Sequence, residues 1–210
     1  MKKGYFITFE GPEGSGKTSV SSYIVKELLL RGFSVVHTRE PGGIEISEEI
    51  RHIILDPKNT AMDVRTEALL YAASRRQHLI ERVLPALSEN KIVICDRFVD
   101  SSLAYQGHAR KIGIDEVLAI NEFAIEGLYP DFTVYLDIAA HEGLQRLKHR
   151  KFLDRLDQEA LSFHEDVVDG YRIVNERFKH RIVIIDASQE LKKVREEALE
   201  AVLNVVKNDV

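Results

Sequence analysis

The stretch Gly11-Pro-Glu-Gly-Ser-Gly-Lys17-Thr18 constrains this chain more than any other. It fills the pattern G-x-x-x-x-G-K-[ST] without a substitution. An apolar run, Tyr5-Phe-Ile-Thr-Phe9, precedes it, and a helical pattern reaching about Arg31 follows. A strand, a glycine-rich loop and a helix are the setting in which the pattern has a physical meaning. Glycines let the backbone turn tightly and aim successive N–H groups inward, and a helix N-terminus adds partial positive charge. Lys17 supplies a full charge, and Thr18 offers a hydroxyl to a magnesium ion. Gly11, Pro12, Glu13, Gly14, Ser15, Gly16, Lys17 and Thr18 together make a cradle for a polyphosphate. A nucleoside triphosphate is the expected ligand, and the loop alone leaves its use open.

The rest of the chain alternates in the same way. Apolar strand patterns at about 5–10, 34–38, 91–95, 132–137 and 181–186 alternate with helical patterns. The helices are predicted at about 17–31, 45–55, 65–89, 115–127, 140–149, 158–179 and from about 190. This alternation predicts an α/β fold with a parallel sheet covered on both faces. No linker or repeat divides the 210 residues, so one domain over 1–210 is expected. Pro85 should kink the 65–89 helix or mark a boundary in it.

Three function classes recede on composition. A formal net charge of −5 argues against a general nucleic-acid binder. No apolar run is long enough to span a membrane, and Met1-Lys-Lys-Gly4 leads straight into the first strand without a signal-peptide pattern. The single cysteine, Cys95, sits in an apolar strand as filler and can form no internal disulfide, which fits the reducing cytoplasm.

Asp96 ends the third strand, where a carboxylate can reach the metal beside a phosphate loop, and Arg97 follows it. Phosphoryl transfer spreads charge over the transferred oxygens, so a fixed guanidinium there stabilises the transition state. Arg39, Arg51, Arg75 and Arg97 all fall at strand ends or on adjoining helices. Four such cations in an acidic chain point to a second anionic substrate. Tyr71, Arg75 and His78 share one helical face by their spacing. The charged run Lys148-His-Arg-Lys151 to Arg155 has two readings, a solvated helix end or a closing lid.

In combination these motifs resemble the bacterial thymidylate kinases, and the resemblance covers nearly the whole chain in order. It rests on Phe9-Glu-Gly-Pro-Glu-Gly-Ser-Gly-Lys-Thr18, Thr38-Arg-Glu-Pro-Gly-Gly43, and Asp96-Arg97 with Ser101-Ser-Leu-Ala-Tyr-Gln-Gly107. Asn121 through Gly127-Leu-Tyr-Pro-Asp131, Asp154-Arg-Leu-Asp-Gln-Glu159 and Phe163-His-Glu165 continue it. The resemblance implies a P-loop NTPase three-layer sandwich with a five-stranded parallel sheet flanked by helices. It implies phosphoryl transfer from ATP to dTMP, giving dTDP and ADP with Mg2+, in the dTTP synthesis pathway. A cytoplasmic homodimer is implied, with no nucleic-acid or membrane partner.

Site residues follow by the same resemblance. Glu13 accepts the sugar 3′-hydroxyl, Tyr71 stacks on thymine, and Arg75 donates to its O4. Ser102 and Gln106 complete the base pocket, and Tyr105 crowds the 2′ position. Arg97 bridges the two sets of phosphates, with Arg51 and Arg39 on that of dTMP. Thr18 and Asp96 serve the metal, and Lys17, Asp96, Arg97 and Arg155 are the expected catalytic residues. One subtype of the family carries an extra arginine in the loop; Gly14 stands there, so lid-type catalysis over about 146–157 is expected. Arg155 is its strongest candidate, ahead of Arg150, also an expected ATP ligand, and Lys151. Phe98 departs from the tyrosine usual after Asp-Arg, and Ser19 from a second threonine.

Rival readings are a different nucleoside monophosphate kinase on this fold, a GTP switch and a regulator without turnover. The first conflicts with the Tyr71/Arg75 and Ser102/Tyr105/Gln106 sets. The second lacks its Asp-x-x-Gly and Asn-Lys-x-Asp elements, and the third conflicts with the retained Lys17, Asp96, Arg97 and Arg155.

Overall fold

The computed structural model describes residues 4–147 and 154–207. Strands β1 (Tyr5–Glu10), β2 (Val35–Arg39), β3 (Ile92–Asp96), β4 (Phe132–Asp137) and β5 (Ile182–Asp186) form one sheet in the order β2-β3-β1-β4-β5. Every pairing is parallel. The α/β expectation and its five strands are met.

The side-chain period of a strand decides which core each residue joins. Ile7 and Phe9 of β1 and Ile92 and Ile94 of β3 pack with Val20, Ile24 and Leu28 of α1 (Lys17–Leu30). Val194, Ala198 and Val202 of α9 (Leu191–Lys207) complete that cluster. Phe6, Val93 and Cys95 point the other way, to Leu79, Val83, Val99 and Val117. Burial on both faces is why these strands read as unbroken apolar runs. Ile24 is fully buried in the first cluster, so truncating it to Ala removes about 2–5 kcal/mol.

The helical pattern over 65–89 is one coil in three parts: α3 (Val64–His78), a π-helical turn (Leu79–Val83) and α4 (Leu84–Ser88), after α2 (Glu45–Leu55). Pro85 sits in the first turn of α4 and has no N–H to give the carbonyl four residues back. The widened turn before it absorbs that mismatch, so the boundary lies at 79–83 rather than at the proline. Asp63 starts α3, its carboxylate accepting from the N–H groups of Arg65 and Thr66 at 3.0 and 3.1 Å.

After β3 the chain forms α5 (Val99–Ser102) and a π-helical segment (Leu103–Ala109), where the sequence predicted no element, then α6 (Ile114–Ile125). α7 (Ala140–Leu147) follows β4, and α8 (Leu161–Arg177) follows the second described stretch's opening turn. Gly170 lets α8 approach the π-helical segment closely: a Cβ there would lie 2.9 Å from the Ala104 carbonyl oxygen. Because β1 lies between β3 and β4, the chain reverses its direction across the sheet at β1. Its carboxyl edge is therefore the crevice where open α/β sheets bind ligands.

Candidate active site

The loop after β1 is held open by backbone conformations that favour glycine. Gly11, Gly14 and Gly16 have φ of 147°, 74° and 90°. α1 opens directly after Gly16 with no side-chain cap, unlike α3, so its first N–H groups face the loop's hollow. Lys17 Nζ donates to the carbonyl oxygens of Gly11 and Pro12 at 3.0 and 2.9 Å and to Ser15 Oγ at 3.3 Å. Burial, then the Arg97 guanidinium, pushes its ammonium down to about 8.

Thr18 Oγ1 donates to Asp96 Oδ2 at 2.6 Å. Parallel pairing of β1 and β3 puts Asp96 beside Phe9, at the mouth of the loop. A hydroxyl and a carboxylate oxygen in contact are the hard donors that suit Mg2+, which otherwise keeps waters and phosphate oxygens. The donor set fits that ion.

Arg97 is a non-glycine residue at φ 72°, a conformation kept only where the surroundings demand it. Its backbone N–H donates to the Phe9 carbonyl at 2.9 Å, which fixes the turn. Its guanidinium then pairs with Glu13 and donates to the Gly11 carbonyl at 3.1 Å and Tyr105 Oη at 3.1 Å. It also lies 5.0 Å from the Tyr105 ring centre. Behind it, buried Glu10 accepts from Phe98 N–H at 2.6 Å and Tyr171 Oη at 2.9 Å. Burial, then Asp100, pushes the Glu10 carboxyl up to about 7.

The opposite wall is built on α3. Arg75 is 2% exposed. Its Nε donates to Glu40 Oε2 at 2.7 Å, Nη1 to Ser102 Oγ at 3.0 Å and to Asn121 Oδ1, and Nη2 to the Phe98 carbonyl at 3.0 Å. Four of the five guanidinium N–H groups are thus engaged, leaving one on Nη2 without a partner among the described residues. His78 secures Glu40 from the other side at 2.9 Å. Phe98 is fully buried edge-to-face on Phe6, and it serves Arg75 through both its carbonyl and its ring, whose centre lies 5.1 Å from the guanidinium carbon. Gln106 Nε2 donates to Glu67 Oε1 at 2.8 Å.

These walls enclose one cavity of about 410 Å³. Glu13, Gly14, Gly16, Lys17 and Thr18 line it from the loop, and Asp96 and Arg97 from β3's end. Tyr71 and Arg75 line it from α3, and Ser102, Tyr105 and Gln106 from α5 and the π-helical segment. Arg39 and Arg51 also line it, Arg39 paired to Glu48 at 2.6 Å and Arg51 donating to the Pro41 carbonyl at 2.9 Å. A second cavity, about 290 Å³, shares Gly14, Gly16, Ser19 and Arg146 with the first and extends to Ala187 and Gln189. Gly11 and Pro12 enter through the carbonyls on Lys17, and Ser15 lines the second cavity.

The structure does not bring Arg155 to the phosphate loop. Its guanidinium pairs with buried Glu67, its Nε donates to the Ile54 carbonyl at 2.8 Å, and it does not line the cavity. Asp154 and Leu156, its neighbours, do. Arg150 and Lys151 lie outside the described residues.

The thymidylate kinase family model matches residues 9–198. A thymidylate kinase from Clostridium novyi is 59% identical over 199 residues, covering 94% of this chain and 97% of that protein. The chain belongs to the thymidylate kinase family. A thymidylate kinase from a Geobacillus species is 54% identical, covering 97% of this chain and 98% of that protein. A crystal structure of thymidylate kinase from Ehrlichia chaffeensis superposes with a TM-score of 0.76 at 32% identity, covering 95% of this chain and 98% of that one. Membership makes the chain a nucleoside monophosphate kinase, a transferase, on the P-loop NTPase fold.

Against the family expectation, four residues of this thymidylate kinase site escaped the sequence reading. Glu40 and Asn121 accept from Arg75, Glu67 accepts from Gln106, and Arg146 lines both cavities. Glu40 and Asn121 lie inside the quoted motifs, so the signal was present without a partner to interpret it.

Proposed function

We infer that this chain carries out ATP-dependent phosphorylation of dTMP to dTDP, with the two nucleotides meeting head to head in the cavity. One observation carries the site assignment: Lys17 and Arg97 line the same cavity as Tyr71 and Arg75. The loop from Gly11 to Thr18 takes the ATP phosphates, and the second cavity, with Arg146 and Gln189, takes the nucleoside end. Arg51 and Arg39 face the dTMP phosphate, Tyr71 stacks on the base, and the spare Nη2–H of Arg75 donates to O4. Tyr105 and Glu13 meet the sugar; Glu13 must then exchange part of its contact with Arg97 for the 3′-hydroxyl.

In the reaction the acceptor phosphate oxygen attacks the terminal phosphorus of ATP, the bond from that phosphorus to the bridging oxygen breaks, and ADP leaves with the bond's electron pair. Arg97, held by the Gly11 carbonyl and Tyr105, neutralises charge that spreads over the transferred group. Lys17 follows the phosphates out of the carbonyls that hold it. Thr18 and Asp96 would hold Mg2+, which would supply charge neutralisation on the ATP phosphates. The segment from about 146 to 157 is the lid of a single domain. Among the described residues, Arg146 is the cation of this segment at the cavity, while Arg155 stays on Glu67 and the Ile54 carbonyl.

The protein works in the cytoplasm as a homodimer. Leu69, Ile80, Leu84 and Phe123 form the exposed apolar set that favours pairing, and Phe123 is 87% exposed. No described helix is long and apolar enough to cross a membrane.

An ADP-release assay with dTMP, dUMP, dCMP, dAMP and dGMP tests the substrate. dTMP should give the highest kcat/KM; a purine monophosphate that outperforms it sinks the reading.

A further inference from the structure

The base wall contains a carboxylate that touches no part of the cavity. Glu67, near the start of α3, is 1% exposed and does not line the cavity. Arg155 and Arg110 both contact it, and guanidinium groups only donate. Both Glu67 oxygens therefore act as acceptors, and the third neighbour, Gln106, must turn its NH2 toward them, as the 2.8 Å contact has it.

This decides what Gln106 shows the substrate. The side chain is 2% exposed and lines the cavity, and its Oε1 makes no hydrogen bond among the described residues. With Nε2 committed to Glu67, only the carbonyl oxygen is left for a base. A flipped amide would set Oε1 against the carboxylate and lose an N–H donor inside a buried cluster, which costs about 1–3 kcal/mol.

We propose that Glu67 is a specificity-determining positioning residue: it locks the polarity of Gln106 so that the acceptor site reads N3–H of the base. This rests on the base-wall reading above. Thymine offers N3–H as a donor and O4 as an acceptor, matching Gln106 Oε1 and the spare Arg75 N–H. Cytosine reverses both, with an acceptor at N3 and an amino group at C4. A free carboxamide would turn over to satisfy cytosine at N3, and Glu67 forbids that turn. Uracil has the same donor and acceptor edge as thymine, so the lock is silent between those two.

Glu67→Gln keeps the shape but lets residue 67 donate as well as accept, so Gln106 can flip. The variant should lower the kcat/KM ratio of dTMP to dCMP about tenfold or more, through a higher KM for dTMP and measurable dCMP turnover. Its dTMP-to-dUMP ratio should stay at the wild-type value. Gln106→Ala separates the two ideas. If it leaves the KM for dTMP unchanged, the base-wall reading fails and the lock with it. If it raises that KM while Glu67→Gln keeps the wild-type dTMP-to-dCMP ratio, the lock alone is overturned. Should Glu67→Gln not fold, the wild-type protein still answers. The Gln106 carboxamide protons, assigned by their loss in Gln106→Ala, should exchange slowly with solvent with and without dTMP. Exchange at the rate of a surface glutamine overturns the lock.

Discussion

The backbones of Gly14 and Gly143 are in contact. A Cβ on Gly14 would lie 2.0 Å from the Gly143 carbonyl oxygen, and a Cβ on Gly143 would lie 2.1 Å from that of Glu13. α7 thus rests directly on the phosphate loop, and no side chain fits at position 14. This is the physical reason the loop carries no arginine there. Gly143→Ala should push α7 off the loop, lower stability by about 1–3 kcal/mol, and raise the KM for ATP tenfold to roughly a hundredfold through displaced loop and Arg146 geometry. Thermal melts and ATP titrations check this; a variant with wild-type KM refutes the contact's role.

Arg97→Ala tests the proposed role of this guanidinium in meeting charge as it spreads. kcat should fall roughly a hundred- to a thousandfold while the ATP dissociation constant changes little. Stopped turnover with a separate binding measurement distinguishes the two. Small, equal changes in both would assign Arg97 a binding role only.

Lys17 sits at about 8 before phosphates arrive, because it is buried near Arg97. Polyphosphate favours the charged ammonium and raises that value. ATP binding near pH 8.5 should therefore take up a proton, roughly half an equivalent or more, and near pH 6.5 almost none from this group. Calorimetry in buffers of different ionisation enthalpy reads it directly. Lys17→Met should abolish the uptake; uptake unaltered in that variant assigns the proton elsewhere.

Glu10 is held at about 7, against 4.5 for an ordinary glutamate, by burial and then by Asp100. The folded state keeps a proton that the unfolded chain releases between these values. Its contribution is present below the unfolded value and is lost as pH rises through about 7, an effect of about 3 kcal/mol. Glu10→Gln removes that dependence. Its stability relative to wild type should therefore rise between about pH 5 and about pH 8. Denaturant midpoints across that range check the sign, and parallel profiles would remove Glu10 as the source.

Phe123 projects from α6 with 87% of its surface exposed. Phe123→Glu should convert a dimer to monomers without lowering the thermal midpoint of the monomer, since it leaves no internal cavity. Light scattering decides; a monomeric wild type ends the proposal.

Much of the site was legible because its logic is local. The loop from Gly11 to Thr18 works through consecutive backbone groups, so its spelling is its geometry. Tyr71 and Arg75 share a face because a helix places residues four apart together. Asp96 and Arg97 could be put at the mouth of the sheet because a parallel strand's carboxyl end is where the crevice lies.

What the sequence by itself determined was therefore the α/β order, the phosphate loop and the family. The packing decided the partners. Arg75 meets Glu40 across 35 residues and Asn121 across 46, and Gln106 meets Glu67 across 39. A glutamate that anchors a buried guanidinium and one that faces water are spelled alike; only burial separates them. For the same reason Arg155, read as a cation for the phosphates, is found on Glu67 and the end of α2. Residues that act through neighbours distant in the chain acquire their chemistry only when the tertiary fold removes water and leaves each donor one acceptor to meet.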